Sequence, residues 1–233
     1  GFMCDGDLWR DMVPDLERLG PPQFGNVYSD DSLEGMARRV LADAPRRFVL
    51  IGFSMGGFVA RVATLMAPER VLGVAFIASS ARGYSPQEVA QRQAAAAGVQ
   101  VTRTSTRGIA RGLHPDRESD PELVGRLRDM QKRLGPEVHK RQASIVRRDG
   151  YADLERITCP SLVVACRQDR LRSFDETKRM ADHLPRAQFE VLEDCGHMAP
   201  LERPHDLARL IGGWISGADR KSTRLNSSHV SES

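Results

Sequence analysis

Short apolar runs alternate with amphipathic stretches along most of this chain. RFVLIGF (residues 47–53) and VLGVAFIA (71–78) are apolar at nearly every position, and SLVVA (161–165) and QFEVL (188–192) are shorter runs of the same kind. Runs of this length, without polar alternation and bounded by proline or glycine, are typical of strands buried on both faces. The pattern therefore predicts four strands, of which 47–53 and 71–78 are buried on both faces.

Between these runs, apolar residues three and four positions apart predict helices that pack on the strands. One such helix spans Leu33 to Asp43, with Asp31 and Ser32 as candidate N-caps and Pro45 at its end. The other predicted helices are Leu8–Leu19, interrupted near Pro14, Met55–Met66, Phe174–Leu184 and Pro204–Ile215. Gly25–Tyr28 is a candidate short strand. Alternating strands and helices predict an α/β fold with a mostly parallel sheet flanked by helices.

The stretch between residues 81 and 157 follows a different pattern. It is polar, shows helical spacing and contains no strand-like run. We expect it to form an inserted helical cap, so that residues 1–80 and 158–217 make up the core. A chain of 233 residues is long enough for one domain with such an insertion.

Both ends of the sequence need separate interpretation. GFMCDGDLW at the start reads like the middle of a motif, so we expect the first strands of the fold to be missing from this chain and any signal peptide to lie upstream. DRKSTRLNSSH (219–229) resembles the in-frame translation of a common sequencing adapter. We expect residues 218–233 to be an artefactual tail without structure or function; a natural polar tail is the alternative.

The composition narrows the possible functions. The formal net charge is only +3, and the basic residues are interspersed with acidic ones, so we expect no nucleic-acid partner. No apolar run approaches the roughly 20 residues of a membrane span, which predicts a soluble protein, with a cytoplasmic location as the default. The four cysteines form no CxxC pair and no zinc-ligand spacing with the histidines. We therefore expect free, mostly buried thiols, no metal and no cofactor.

The strongest chemical signal is GFSMGG, in which Ser54 lies between a predicted strand and a predicted helix. The GxSxG pattern in that context is typical of a nucleophile elbow, a sharp turn that exposes the serine hydroxyl. We expect Gly52 and Gly56, two residues before and after the serine, to approach too closely for a Cβ. A phosphate-binding turn is the alternative, but the glycine spacing is not that of a dinucleotide loop.

A serine is a weak nucleophile without a base, and His197 is the best-placed histidine. It follows the predicted strand 188–192, at the end where open α/β sheets place ligand-contacting residues. The other five histidines fall in the predicted cap, in helices or in the tail: His114, His139, His183, His205 and His229.

An acid that orients this histidine is expected between the serine and the histidine in the chain. Asp169 follows the predicted strand 161–165 and could stabilise the charged imidazole. Asp175 and Asp194 are alternatives. Asp175 suits the first turn of a helix, where its charge favours the helix dipole, and Asp194 lies only three residues before His197.

These motifs resemble the α/β-hydrolase superfamily, particularly its small capped esterases and lactonases with a GxSMGG elbow. The resemblance covers Gly1 to about Gly217 and rests on GFSMGG, CPSLVVACRQD and CGHMAPLERP. Arg167 and Gln168 depart from it, since relatives usually carry a glycine near the acid. The resemblance implies an oxyanion hole made by the backbone amides of Met55 and of Phe2, with Met3 as the alternative to Phe2.

The sequence thus predicts a serine hydrolase that cleaves a carboxylic ester through an acyl-enzyme. Enol-lactone, thioester or carbon–carbon bond hydrolysis on the same fold, and a non-catalytic ligand-binding module, are the alternatives. The expected partner is a small-molecule ester or acyl substrate. An acidic acyl carrier is a further candidate partner, because the predicted cap is rich in arginine, with residues 103, 107, 111, 117, 126, 128, 133, 141, 147 and 148 among its arginines.

Overall fold

The computed structural model describes residues 1–91, 108 and 110–217 in full, together with the backbone of residues 218–228. Part of the predicted cap, with Arg103 and Arg107, lies outside the described residues, as does His229 in the predicted tail. Within the described chain, no helix is both long and apolar enough to cross a membrane.

Four parallel strands form one sheet in the order β1-β2-β3-β4. The strands are β1 (Phe48–Phe53), β2 (Val71–Ile77), β3 (Ser161–Cys166) and β4 (Ala187–Leu192). Alternate residues of a strand point to opposite faces, so Ala75 and Ile77 pack into one apolar cluster while Val74 and Phe76 pack into another. Because both faces of the sheet are covered, the central strands β2 and β3 are apolar at nearly every position, whereas β4 carries Gln188 and Glu190. The predicted α/β fold with a parallel sheet is confirmed.

Helices flank this sheet in chain order. They are α1 (Val13–Leu16), α2 (Leu33–Asp43), α3 (Met55–Met66), α4 (Pro121–Ser144), α5 (Tyr151–Leu154), α6 (Phe174–Asp182), α7 (Ala199–Glu202) and α8 (Pro204–Ser228), with 3₁₀ segments at Gly6–Met12 and Pro115–Arg117. The start of α2 is set as expected, because the Ser32 hydroxyl accepts the Gly35 N–H at 3.1 Å. Pro14 lies in the first turn of α1, where a missing N–H costs nothing.

The candidate strand at Gly25–Tyr28 is wrong, because residues 21–28 form an irregular segment. The Asn26 side chain accepts the Tyr28 N–H at 3.0 Å, which closes a local turn. Such side-chain bonds compete with strand pairing for the backbone groups.

The chain between β2 and β3, residues 78–160, is called the β2–β3 connection below. Its described part contains helices and loops but no strand, in agreement with the helical pattern. Gly135 interrupts α4 with φ 74°, a left-handed conformation that glycine adopts without strain, and Pro136 follows it. The helix is therefore kinked into two segments, and the second ends at Ser144.

The backbone of α8 continues to Ser228, beyond the Ile215 end that the apolar spacing predicts. The expectation that the chain lacks regular structure after about residue 218 is therefore wrong for the backbone of 218–228. Residues 218–228 contain neither proline nor glycine, so no residue there breaks the helix.

Among the described residues, strand β1 lies at one edge of the sheet and pairs only with β2. A groove of about 630 Å³ lies along it, lined by strand residues such as Val49 and Ile51 and by Trp9, Phe24 and Tyr28 of the preceding chain.

Candidate active site

Ser54 connects β1 to α3 through a sharply bent backbone, with φ 50° and ψ −111°. Positive φ is rare for a residue with a Cβ and requires support from its surroundings. Part of that support is the hydrogen bond from the Ser54 N–H to the Ile77 carbonyl of β2, at 2.9 Å. The sharp turn also requires a glycine at position 52, because a Cβ there would lie 2.6 Å from the Gly56 carbonyl oxygen.

The second crowded glycine of the elbow is Gly57 and not Gly56. A Cβ on Gly56 would meet nothing within 4 Å, so the expectation that Gly56 has no room is wrong. A Cβ on Gly57 would instead lie 2.2 Å from the Ser79 hydroxyl. The reason is that Gly57, rather than Gly56, faces the end of β2 in the first turn of α3.

Ser79 supports the elbow from the neighbouring strand end. Its buried hydroxyl donates to the Ser54 carbonyl at 2.9 Å, and the Thr177 hydroxyl donates to the Ser79 carbonyl at 3.1 Å. Ala78, just before it, has φ 45°. The turn that carries Ser54 is thus held by hydrogen bonds from the end of β2 and from the loop that follows it.

The three residues singled out from the sequence meet at the carboxyl ends of β1, β3 and β4. Ser54 Oγ lies 2.8 Å from His197 Nε2, and His197 Nδ1 lies 2.7 Å from Asp169 Oδ2. Because a carboxylate only accepts, Nδ1 carries the ring proton and Nε2 is left as the acceptor for the Ser54 hydroxyl. The side chains of His197 and Asp169 are only 6 % and 1 % exposed, so the pair is shielded from water.

Asp169 is held by its own loop. Its second oxygen, Oδ1, accepts the N–H groups of Leu171 at 2.7 Å and Arg172 at 2.9 Å. With the imidazole on Oδ2, this buried carboxylate accepts three hydrogen bonds, so neither of its oxygens is buried without a partner.

The alternative acids lie elsewhere. Asp175 is in the first turn of α6, as its sequence context indicates. Asp194 has φ 50° and pairs with Arg117 and Arg203 on the surface, and the hydrogen bond from Arg117 lowers the pKa of this carboxyl. Neither Asp175 nor Asp194 makes a hydrogen bond to His197 in the described chain.

The loop that carries His197 is clamped to the β2–β3 connection. The His197 backbone N–H donates to the Gly112 carbonyl at 2.7 Å, and a Cβ on Gly196 would lie 2.3 Å from the backbone nitrogen of His114. The position of His197 after β4 is evident from the sequence, but no sequence feature indicates that residues 112–114 pack on the histidine loop.

Glu202 of α7 is the main polar support of this contact. Its side chain is fully buried, and its carboxylate accepts the Met198 N–H at 3.2 Å, the His114 N–H at 2.8 Å and Arg117 Nη1 at 3.3 Å. The carboxylate therefore ties the residue after His197 to the β2–β3 connection. An acid five residues after the histidine, in CGHMAPLERP, was the one available signal.

Of the two amides implied for an oxyanion hole, that of Met55 belongs to the elbow itself and that of Phe2 to the Gly1–Met3 turn. Met55 begins α3, where the first N–H groups of a helix have no intrahelical acceptor. Phe2 lies in the Gly1–Met3 turn, which abuts the residue before Ser54, because a Cβ on Gly1 would lie 2.7 Å from the Phe53 ring. Among the described residues, no acceptor takes the amide of Met55 or of Phe2. The Met3 amide is already bonded, to Gln142.

Two buried thiols lie near the acid and the histidine in the chain. Cys166 ends β3 and Cys195 precedes Gly196, and all four cysteines are free, as expected. The hydrogen bond to Cys195 and burial raise the pKa of the Cys166 thiol well above its usual range. It is therefore held protonated and is a poor nucleophile. Within the described residues, no group of histidine, cysteine and carboxylate side chains is arranged to hold a metal ion.

A sequence model of the alpha/beta hydrolase family matches residues 5–210 of this chain. The pimeloyl-[acyl-carrier protein] methyl ester esterase of Photobacterium profundum is 26 % identical over 235 residues, covering 92 % of this chain and 92 % of that protein. The enzyme of the same name from Edwardsiella ictaluri is 39 % identical over 88 residues, a match that spans only 34 % of either protein.

The solved structure of a thermophilic esterase from Thermogutta terrifontis, with malate bound, superposes with a TM-score of 0.81 at 25 % identity. That match covers 94 % of this chain and 88 % of the esterase. The family match, the fold and the strand-end geometry agree, and the chain belongs to the alpha/beta hydrolase family.

Proposed function

We propose that this protein is a serine hydrolase that cleaves carboxylic esters through an acyl-enzyme. The observation that supports the proposal most directly is the pair of hydrogen bonds that joins Ser54 to His197 and His197 to Asp169, at 2.8 and 2.7 Å. It is the arrangement that a weak hydroxyl nucleophile needs, with a base in contact with the serine and an acid that orients the base.

In the first half of the reaction, Ser54 Oγ attacks the ester carbonyl while His197 Nε2 takes the hydroxyl proton. Asp169 stabilises the imidazolium and keeps its proton on Nδ1. The carbonyl oxygen becomes an oxyanion, for which the amides of Phe2 and Met55 are the proposed donors. When the intermediate collapses, His197 gives its proton to the leaving alcohol, and the acyl group remains on Ser54.

In the second half, His197 takes a proton from water as the water oxygen attacks the acyl-enzyme carbonyl. A second oxyanion forms and collapses, Ser54 Oγ leaves, and His197 returns the proton to it. The products are the carboxylic acid and the free enzyme. The protein residues supply every proton transfer in this cycle.

The residues of the mechanism do not by themselves select the class of bond that is cleaved. The same side chains serve enol-lactone, thioester and carbon–carbon bond hydrolysis, since such chemistry depends on the pocket rather than on the elbow. Ester hydrolysis is favoured because the relatives that cover most of this chain include a methyl ester esterase. A non-catalytic binding module is disfavoured, since the hydrogen-bonded serine, histidine and acid have no role in it.

An acyl group on an acidic carrier is a second candidate substrate, because several relatives are named for a substrate borne on an acyl-carrier protein. The described arginines of the β2–β3 connection give it little support, since most contact this chain's own groups. Arg117 pairs with Asp194 and Glu202, Arg126 with Asp7 and Asp11, Arg133 with Asp5 and Asp7, and Arg148 with Glu34, while Arg141 donates to the Tyr28 carbonyl.

Hydrolysis of a chain-length series of p-nitrophenyl esters by the wild type and by Ser54→Ala tests the proposal. We expect the substitution to lower turnover about 10⁵- to 10⁶-fold, because the histidine then has no nucleophile to activate. Ser29→Ala, which removes an exposed loop hydroxyl, serves as the matched control and is expected to keep full activity.

Equal ester hydrolysis by the wild type and Ser54→Ala would contradict the serine mechanism. A methyl ester borne on an acyl carrier protein, an enol-lactone and a thioester complete the substrate series and identify the bond. A folded wild type that cleaves only the carrier-borne ester would point to the carrier, and one that cleaves no substrate would favour the binding module.

A further inference from the structure

A buried glutamine joins α4 to the Gly1–Met3 turn. Gln142, only 3 % exposed, accepts the Met3 N–H on Oε1 at 2.8 Å and donates from Nε2 to the Val27 carbonyl at 3.1 Å. Its partners lie more than a hundred residues away in the chain, and both are backbone groups. A buried side-chain amide with both ends bonded to backbone fixes the position of that backbone.

The turn that Gln142 holds is a strained one. Met3 has φ 53°, in the left-handed region that residues with a Cβ rarely adopt. Such a conformation persists only where the surrounding structure holds it in place. Met3 is also buried, so its amide would be left without a partner if the glutamine oxygen were removed.

The same helix makes a second contact with this turn. His139, three residues before Gln142, meets the Phe2 ring edge-on with a centroid separation of 5.3 Å. Residues three apart lie on the same face of a helix, so one face of α4 contacts both Phe2 and Met3.

We infer that Gln142 is a positioning residue for the oxyanion side of the site, an inference that rests on the proposed function. By binding the Met3 amide, it turns that N–H away from the reacting carbonyl and leaves the Phe2 N–H as the amide of the turn that faces it. The turn packs on Phe53, the residue before Ser54. Gln142 thus aligns a donor whose strength matters most when negative charge develops.

The test compares Gln142→Met, which keeps the length of the side chain but removes both hydrogen bonds, with the wild type on a p-nitrophenyl ester. We expect kcat to fall about tenfold while KM changes less than about twofold, because an oxyanion donor acts mainly in the transition state. Removing such a donor outright lowers kcat about a hundredfold or more, so the misaligned donor in Gln142→Met should cost less than that. Gln142→Glu keeps an oxygen that can accept the Met3 N–H and is expected to recover part of the loss.

Val138→Ala on the same helix is the matched control, since it removes buried apolar atoms but neither of the two hydrogen bonds of Gln142. It is expected to lower the melting temperature but to leave kcat unchanged. A fall in kcat that Val138→Ala reproduces at equal melting temperature, or a loss seen only in KM, would overturn the positioning role.

The rate at which a fluorophosphonate labels Ser54 separates this inference from the proposed function. Labelling that is about tenfold slower in Gln142→Met than in the wild type supports the inference even if the natural ester is not found. Equal labelling rates would overturn the positioning role alone. A wild type that is neither labelled nor active would overturn the proposed function, and the inference with it.

Discussion

Asp169 and His197 stand on loops that follow the adjacent strands β3 and β4, whereas the Gly1–Met3 turn is held by side chains of the distant helix α4. Parallel pairing sets the spacing of the first two, and the register places Cys166 opposite Leu192. The turn has no strand partner in the described chain, and its Met3 amide is bound by Gln142. One side of the candidate site is thus built on the sheet, and the other on long-range side-chain contacts.

This difference predicts how substitutions on each side of the candidate site lower activity. Substitutions on the sheet side remove a chemical group while the loops stay in place. Substitutions on the supporting contacts leave the reacting groups intact but loosen their alignment, so their effects should be smaller. The following variants test that order, beginning with the largest expected effect.

Asp169→Asn should lower turnover about 10⁴-fold, as loss of the acid does in other enzymes with a serine, histidine and acid. The amide has nearly the same shape, but it does not hold the imidazole proton on Nδ1 or stabilise the imidazolium. Steady-state ester hydrolysis measures the effect, with Asp175→Asn as the matched control. Comparable losses in the two variants would show that Asp169 is not the acid.

Gly52→Ala should lower the free energy of unfolding by about 3 kcal/mol, because its Cβ would meet rigid backbone of Gly56 and Gly57. Gly56→Ala should be neutral or stabilising by up to about 1 kcal/mol, since its Cβ meets open space and alanine favours a helix. Urea denaturation compares the two variants. If Gly56→Ala proved the more damaging, the elbow geometry described above would be wrong.

Glu202→Gln should lower kcat/KM about tenfold, with a small change in melting temperature. The variant places an amide NH₂ where the carboxylate accepts the Met198 or His114 N–H, which leaves a buried donor facing another donor. Glu193→Gln, on an exposed residue paired with Arg167, is the control and should change nothing measurable. Unchanged kinetics in Glu202→Gln would mean that the histidine loop keeps its place without this carboxylate.

Much of the fold follows from local pattern. The strands β1 to β4 and the helices α2, α3 and α6 lie within two residues of the predicted bounds, because each combines an apolar period with a clear start or stop signal. The candidate strand at Gly25–Tyr28 failed where the Asn26 side chain offered the backbone another partner. The end of α8 failed because nothing in residues 218–228 stops a helix.

The candidate site shows the same division. The proximity of Ser54, Asp169 and His197 could be predicted from the sequence, because the carboxyl ends of parallel strands meet at one edge of a sheet. The sequence could not show that Gly57, rather than Gly56, has no room for a Cβ, because this depends on which glycine of α3 faces Ser79. Gln142 gave no signal, since a polar residue in a polar helix is ordinarily exposed to solvent.

By itself, the sequence determined the order of strands and helices, the elbow at Ser54 and the strand ends that carry Asp169 and His197, since these depend on residues close together in the chain. Only the tertiary structure decided that the Glu202 carboxylate binds the His114 N–H and that Gln142 holds the Met3 amide. Those contacts join segments about 90 to 140 residues apart, and a buried polar side chain can be matched to its partner only once both have a place in the fold.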